Sequence, residues 1–462
     1  MYDVIVIGAG PAGENVAGRC ADGGLRTAII ERELVGGECS YWGCMPSKIL
    51  VRPGDVLAAA RRVPGAAQAV TGTIDLDAVL AKRDDAAGHW DDAGQVPWLD
   101  GKNIALVRGH ARIVGARTIE VAQSGGVVLT LQASRAIVIA TGTTAAVPPI
   151  PGLRESKPWD NRDVTAAKTL PERLIVLGGG AIGAEMAQAY KRLGTRQVTL
   201  IEGAERLFPR EEPFAGEQIK AAFEAEGIVV VTGVAMTAVR REDANGPVTA
   251  VLADGREFTG DEILVAVGRR PATSTIGIEN VGLEPGKYLS VDDQFRVSGV
   301  DGEWLYAVGD CNGRALLTHM GKYQARLAGD VILEKKGIVD IADHIAVPRV
   351  TFSDPQVAAV GLTEAQARDA GMNVRTVSHP TGGVAGAYTL GDGITGTSML
   401  VIDESRSVIV GATFTGPGVQ ELLHAATIAI VGEVPMSRLW HAVPSFPTVS
   451  EVWLRLLEGY GL

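Results

Sequence analysis

Short apolar runs that stop at glycine clusters recur along this chain, the pattern of strands buried on both faces of a parallel sheet. Residues 4–7, 28–30, 136–140 and 174–177 stand out, and 198–201 and 263–267 continue the series. Between the first two runs, residues 11–20 are small and mostly apolar and predict a crossover helix. Ala181–Leu193 predicts a second, with Ile182, Met186 and Ala189/Tyr190 at helical spacing. Two strand–glycine turn–helix–strand units thus stand about 170 residues apart, an internal duplication.

Pro148-Pro149-Ile150-Pro151-Gly152 reads as a stiff linker and a first boundary. From about residue 345 the order changes to strands (349–352, 357–361), a helix (363–370) and strands again (398–402, 407–413), a segregated α+β pattern. The expected architecture is α/β, with two Rossmann-like dinucleotide-binding domains followed by a C-terminal α+β domain. The expected segments are 1–147 and 265–340 for the first domain, 148–264 for the second and 341–462 for the last.

Composition narrows the function classes. The 462 residues allow roughly three domains. A formal charge of −11 disfavours a nucleic-acid partner, which wants a basic patch. The 58 glycines show no three-residue period, so with 46% hydrophobic and 21% charged residues the chain is neither collagen-like nor disordered. No run of about 18 uncharged apolar residues occurs, so no membrane span is expected. A strand-like run starts at Tyr2 with no basic segment before it, which points away from a cleaved signal and towards the cytoplasm.

Gly8-Ala9-Gly10-Pro11-Ala12-Gly13 follows a strand and opens a helix. In such a turn Gly8 permits the tight bend, Gly10 lets backbone amides approach a pyrophosphate, and Gly13 allows close helix–strand packing. Glu31, at the end of the next strand, is placed to take a ribose diol. Gly178-Gly179-Gly180-Ala181-Ile182-Gly183 repeats the design, with Glu202 closing its second strand. A carboxylate there pairs with a free 2′-hydroxyl and repels a 2′-phosphate, which favours NADH; Arg206 nearby keeps NADPH as the alternative.

Cys39 and Cys44 stand five apart in Gly36-Gly37-Glu38-Cys39-Ser40-Tyr41-Trp42-Gly43-Cys44-Met45-Pro46-Ser47-Lys48. In a cytosolic chain this spacing points to catalytic thiols, and without CxxC or a second Cys/His cluster no metal site is expected. Cys20 and Cys311 are isolated in apolar or glycine-rich surroundings and read as inert core residues.

With these motifs the chain resembles the FAD-dependent pyridine nucleotide–disulfide oxidoreductases, the group of dihydrolipoamide dehydrogenase, glutathione reductase and mercuric reductase. The first GxGxxG, the GGxCx₄CxPSK block, Ala140-Thr141-Gly142, the second GxGxxG, Gly268-Arg269-Arg270-Pro271 and Ala307-Val308-Gly309-Asp310 come in the family's order. The resemblance implies FAD held by Gly8, Gly10, Gly13, Glu31, Lys48, Thr141, Gly142 and Asp310. It implies NAD(P)H at Gly178, Gly180, Gly183 and Glu202, with Gly268 and Arg269 among the cofactor-binding residues. Hydride would pass through the flavin to a Cys39–Cys44 redox disulfide, with Cys44 as charge-transfer thiolate, Cys39 as interchange thiol, and Lys48 paired with Glu185. Residues 341–462 would be a dimerisation domain, the protein a homodimer, and Glu451 would serve the partner's disulfide.

Two features depart from the family pattern. Members that reduce disulfides carry His-Pro-Thr-x-x-Glu near the C-terminus, where the histidine protonates the leaving thiolate. Here the stretch is Phe446-Pro447-Thr448-Val449-Ser450-Glu451. Phenylalanine carries no proton, so that step would lose about 10²–10⁴-fold. His441 is the nearest candidate to replace it, while His379-Pro380-Thr381 lacks the glutamate and His319 is expected to pack near the flavin. The second departure is Tyr41-Trp42 in place of the family's asparagine-containing loop; these rings either pack or shape a flat apolar site. The chain ends at Gly461-Leu462 without vicinal cysteines, which argues against an ordinary mercuric reductase. The expectation is an FAD enzyme that passes electrons from NADH to a small-molecule acceptor needing no histidine: an unusual disulfide, a metal ion or a quinone. Direct flavin-to-quinone transfer with a regulatory disulfide, and a non-enzymatic redox sensor, are the alternatives.

Overall fold

In the computed structural model, which describes residues 1–243 and 246–462, the strand Tyr2–Ile7 lies inside a parallel sheet. It pairs with Thr27–Glu31 on one side and with the C-terminal part of Val128–Ile139 on the other. Ala105–Arg108 extends the sheet at one end, and Leu305–Ala307 adds to Val128–Ile139. Valine, isoleucine and alanine fill these strands because helices or further sheet must cover both faces; Val4, Ile5 and Val6 are fully buried.

Val128–Ile139 is longer than the apolar run suggests. Residues 136–139 pair in parallel with Tyr2–Ile7, whereas 128–132 pair antiparallel with Thr118–Ala122, which in turn joins His110–Gly115. The first part is exposed and the last part buried, so only the buried part carried a continuous hydrophobic signal.

Two compact units divide the chain. The first comprises residues 1–46, 83–146 and 268–343; the second comprises 47–82, 147–267 and 344–462. In the second unit, Arg173–Leu177 is flanked by Gln197–Glu202 and Glu262–Val265, with Val229–Thr232 outermost, all parallel. The crossover helix occupies Ala181–Leu193, as its periodicity predicts. A three-stranded antiparallel sheet, Met236–Arg240, Val248–Leu252 and Glu257–Gly260, stands beside it in sequence.

The C-terminal part of this unit is a five-stranded antiparallel sheet in the order Arg349–Thr351, Gln356–Gly361, Val408–Gly416, Thr397–Asp403, Val374–Pro380. Helices Leu423–Val431 and Val452–Tyr460 pack on it through Leu423, Ala426, Leu456 and Leu457. The expected helix at 363–370 spans Glu364–Asp369, because Thr363 is its cap: Thr363 Oγ1 accepts the Gln366 N–H, and Gln366 Oε1 accepts the Thr363 N–H. The edge strand Val374–Pro380 is a strand the pattern did not reveal; neither face is uniformly apolar, because Arg375 and His379 flank buried Val377 on one and Ser378 follows Val374 and Thr376 on the other.

Candidate active site

The two glycine turns are built alike. Gly8 has φ 100° and Gly178 φ 113°, backbone that only glycine adopts without strain. A side chain on Gly13 would overlap the Gly8 carbonyl oxygen, and one on Gly183 would overlap that of Gly178. Gly10 and Gly180 have nothing within 4 Å of where a Cβ would project, so each turn is closed on the sheet side and open on the other. Neither helix that follows has a side-chain cap, leaving first-turn N–H groups for an anion. Glu31 accepts the Ala9 N–H at 2.7 Å and the Glu33 N–H at 2.8 Å. Glu202 accepts the Gly179 N–H at 2.7 Å and the Ala204 N–H at 2.8 Å. Both acids are thus fixed at the mouths of their turns.

Further residues complete the first pocket. Gly142, at φ 68°, also faces open space, and Thr141 Oγ1 is buried with no hydrogen-bond partner in its own surroundings. Burial pushes the Asp310 carboxyl upward, opposed by the Thr143 hydroxyl, which donates to Asp310 Oδ2 at 2.8 Å. An open glycine cradle, an orphaned hydroxyl and an uncapped helix start are features a dinucleotide fits.

Arg269 does something the motif did not foretell. Its strand, Arg269–Pro271, pairs antiparallel with Thr143–Ala145. The guanidinium donates to Thr143 Oγ1 at 2.6 Å, to the Thr143 carbonyl at 2.8 Å and to Glu38 Oε2 at 3.1 Å. It therefore ties the residue preceding Cys39 to the Asp310 cluster. Gly268 precedes it at φ 138°.

Cys39 and Cys44 are bonded as a disulfide, with Cα atoms 4.7 Å apart. Cys39 lies on the short helix Gly37–Tyr41 and Cys44 opens the helix Cys44–Arg62. Tyr41 is 2% exposed and its hydroxyl donates to the Val35 carbonyl at 2.9 Å, so this ring is packing. Its neighbour Trp42 is half-buried, with the ring centroids 5.6 Å apart. Cys44 Sγ is 3.2 Å from Thr318 Oγ1, a contact across 274 residues that no local motif signals. Cys20 and Cys311 are fully buried, and burial pushes both thiols up to about 12, so they stay protonated.

In the second unit Lys48 Nζ meets Glu185 Oε2 at 2.6 Å, and the other carboxylate oxygen accepts the Phe352 N–H at 2.9 Å. The ammonium also lies over the Phe352 ring, 4.7 Å from its centroid. Near the C-terminus, Trp440, His441, Phe446 and Glu451 line one open cavity of about 330 Å³. Glu451 is buried; Oε1 takes Arg455 at 3.2 Å, while Oε2 has no hydrogen-bond partner. Phe446 is 76% exposed and His441 is exposed. His379 instead sits in the edge strand, paired with Ser398.

Two glycine turns of like build, one in each unit, and a bonded cysteine pair are the features of a flavin- and pyridine-nucleotide-dependent disulfide oxidoreductase. Residues 2–325 match the family model described as pyridine nucleotide-disulphide oxidoreductase, and 347–456 match its dimerisation domain. The chain belongs to the pyridine nucleotide–disulphide oxidoreductase family. A mercuric reductase of Staphylococcus aureus is 31% identical over 458 residues, covering 97% of this chain and 81% of the relative. A dihydrolipoyl dehydrogenase of Thermus scotoductus is 33% identical over 466 residues, covering 99% and 97%. Among solved structures, the Cu(II) complex of the HOCl-induced flavoprotein disulfide reductase RclA from Escherichia coli superposes with a TM-score of 0.86 at 26% identity, covering 99% of each chain. As a member, this protein is an FAD-dependent oxidoreductase that uses pyridine nucleotide and a redox-active cysteine pair, Cys39–Cys44. The dimerisation domain supports a homodimer. Among the described residues no helix is long and apolar enough to cross a membrane.

Proposed function

We propose that this enzyme oxidises NADH and reduces, through Cys39–Cys44, a soft metal ion that binds thiolates. The observation that carries this reading is the intact cysteine pair combined with Phe446 in the FPTxxE segment. Reducing a disulfide ends with a thiolate that must be protonated, the work of a histidine acid. Reducing a thiolate-bound metal ion needs electrons and no proton at that position. The reductive balance is NADH plus two Cu(II) giving NAD⁺, H⁺ and two Cu(I). The likeness to a mercuric reductase and to RclA, solved as a Cu(II) complex, supports the same acceptor class.

FAD, held by Gly8, Gly10, Gly13, Glu31, Thr141, Gly142, Asp310 and Lys48, would supply two-electron transfer between the nicotinamide and the disulfide. In this reading Glu185 holds the Lys48 ammonium in place through its carboxylate. Cys39 meets the acceptor and Cys44 carries the charge left behind. Glu202 supports NADH over NADPH, because a 2′-phosphate would face its carboxylate. Arg206 supports the same choice: its Nη2 donates to the Pro209 and Glu211 carbonyls. In this reading residues 1–147 and 265–340 bind FAD, 148–264 bind NADH and 341–462 form the dimerisation domain, and the enzyme works in the cytoplasm.

A quinone acceptor is the second reading, favoured by the apolar walls that Trp440, Val443, Pro444 and Phe446 give the cavity beside Glu451. The deciding experiment is steady-state NADH oxidation with Cu(II) and with a small benzoquinone, wild type against Cys39→Ser. Collapse of the Cu(II)-dependent rate with FAD retained supports the relay. An unchanged rate with both acceptors means that electrons leave without the cysteine pair and rejects it.

A further inference from the structure

The helix Thr318–Ile332 carries Gln324, fully buried, against the turn Gly309–Asn312 that bears Asp310. Gln324 Oε1 accepts the Gly309 N–H and an Asn312 Nδ2–H, both at 2.8 Å, and Gln324 Nε2 donates to Asp343 Oδ2 at 2.8 Å. A backbone N–H can only donate, so the amide oxygen must face Gly309 and the amide nitrogen must find an acceptor elsewhere. Asp343 is that acceptor. A flipped amide would set donor against donor at Gly309 and acceptor against carboxylate at Asp343.

The surrounding charges hold Asp343 in place. Its side chain is 1% exposed and that of Asp340 is 0% exposed, and Arg314 offsets their charge with Nη1 2.6 Å from Asp340 Oδ2. Arg314 also donates to the Val291 carbonyl at 3.0 Å and to Asp293 at 3.2 Å. Asp340 Oδ1 accepts the Asp343 N–H, and the Tyr323 hydroxyl accepts the Ile341 and Ala342 N–H groups. Adjacent residues Tyr323 and Gln324 thus tie both the 340–343 segment and the 309–312 turn to one helix. The turn has little freedom on its other side: Gly309 has φ 74°, and a Cβ there would lie 3.0 Å from that of Ala12, in the first turn of the helix Pro11–Asp22.

We propose that Gln324, oriented by Asp343, is a positioning residue for cofactor binding: it holds the Gly309–Asn312 turn closed, so that Asp310 is in place before FAD arrives. The inference rests on the reading that Asp310 holds FAD. A turn released from Gln324 samples open forms, and cofactor affinity falls with the closed fraction.

The test follows FAD release from the full-length holoenzyme, as the free-flavin fluorescence that appears after dilution, beside the thermal midpoint. Alkaline pH is used, because burial and the neighbouring Asp340 push the Asp343 carboxyl up to about 7. Gln324→Leu removes the contacts and is expected to speed release by about ten- to a hundredfold. Gln324→Glu keeps the size and the acceptor for Gly309 but sets a carboxylate against Asp343, and should also speed release. Adding Asp343→Asn to Gln324→Glu exchanges donor and acceptor between the two positions at unchanged net charge, and should return release to the wild-type rate. Wild-type release in either single variant, or no recovery in the double variant, overturns the proposal, as does a lowered thermal midpoint with release unchanged. Asp310→Ala is run in parallel. Wild-type release there defeats the assignment of Asp310 to FAD, and the Gln324 series still decides whether that amide governs cofactor retention.

Discussion

Lys48 and Glu185 form an ion pair at 2.6 Å in which the carboxylate is almost wholly buried and the lysine is about a third exposed. The pair is locked from the carboxylate side, because the second oxygen of Glu185 accepts the Phe352 N–H. Glu185→Gln keeps that hydrogen bond and leaves the ammonium without its counter-charge. The expected stability loss is about 1–2 kcal/mol, between the values for exposed and fully buried pairs. A Lys48→Met/Glu185→Gln double variant, which keeps the acceptor for the Phe352 N–H, should recover most of it. Thermal midpoints of the two variants check this.

Gly183 has no room for a methyl group against the Gly178 carbonyl. Gly183→Ala should cost about 1–3 kcal/mol of local overpacking and push the Gly178 turn out of shape. NADH binding is expected to weaken by at least about tenfold, while flavin absorbance persists because Gly8, Gly10 and Gly13 belong to the other unit. Measuring KM for NADH alongside FAD content separates the two pockets.

Burial pushes the Glu14 carboxyl up to about 7; Lys322 opposes the shift and Glu31 adds to it. The unfolded chain ionises this group near 4.3, so between about pH 4.3 and 7 the unfolded state binds fewer protons than the folded one and stability falls as pH rises. The integrated loss is about 4 kcal/mol at most. Glu14→Gln removes the dependence: its thermal midpoint should match wild type near pH 4.5 and exceed it at pH 8. A constant difference across that range would contradict the assignment.

Phe446 is exposed beside Glu451, whose second carboxylate oxygen has no partner. Phe446→His supplies a proton carrier to the cavity that Glu451 also lines. Reduction of a low-molecular-weight disulfide is expected to rise by about 10²–10⁴-fold, with the Cu(II)-dependent rate little changed. The comparison of the two acceptors in the same preparation is the measurement.

The parallel core was legible because strands buried on both faces are apolar without interruption, and the glycine turns were legible because each glycine has its own steric reason. Gly8 and Gly178 need positive φ, and Gly13 and Gly183 need to have no side chain. Strands with one wet face carried less signal. Residues 128–132 and Val374–Pro380 mix exposed polar and charged positions into their alternation, and neither stood out.

Tyr41 shows the limit for single side chains: the sequence allowed packing or a wall for substrate, and burial with a hydrogen bond to Val35 makes it packing. By itself the sequence determined the family and the candidate redox cysteines, and it led to the expectation of two nucleotide pockets and of Phe446 where the family pattern has histidine. These rest on short-range spacing, where a few residues dictate a turn or a loop. The tertiary structure alone decided that Arg269 is held by Glu38 and Thr143, that Glu451 keeps one oxygen unpaired, and that Thr318 stands against Cys44. Those contacts join segments as much as 274 residues apart, and chain folding, not local propensity, brings such partners within hydrogen-bond reach.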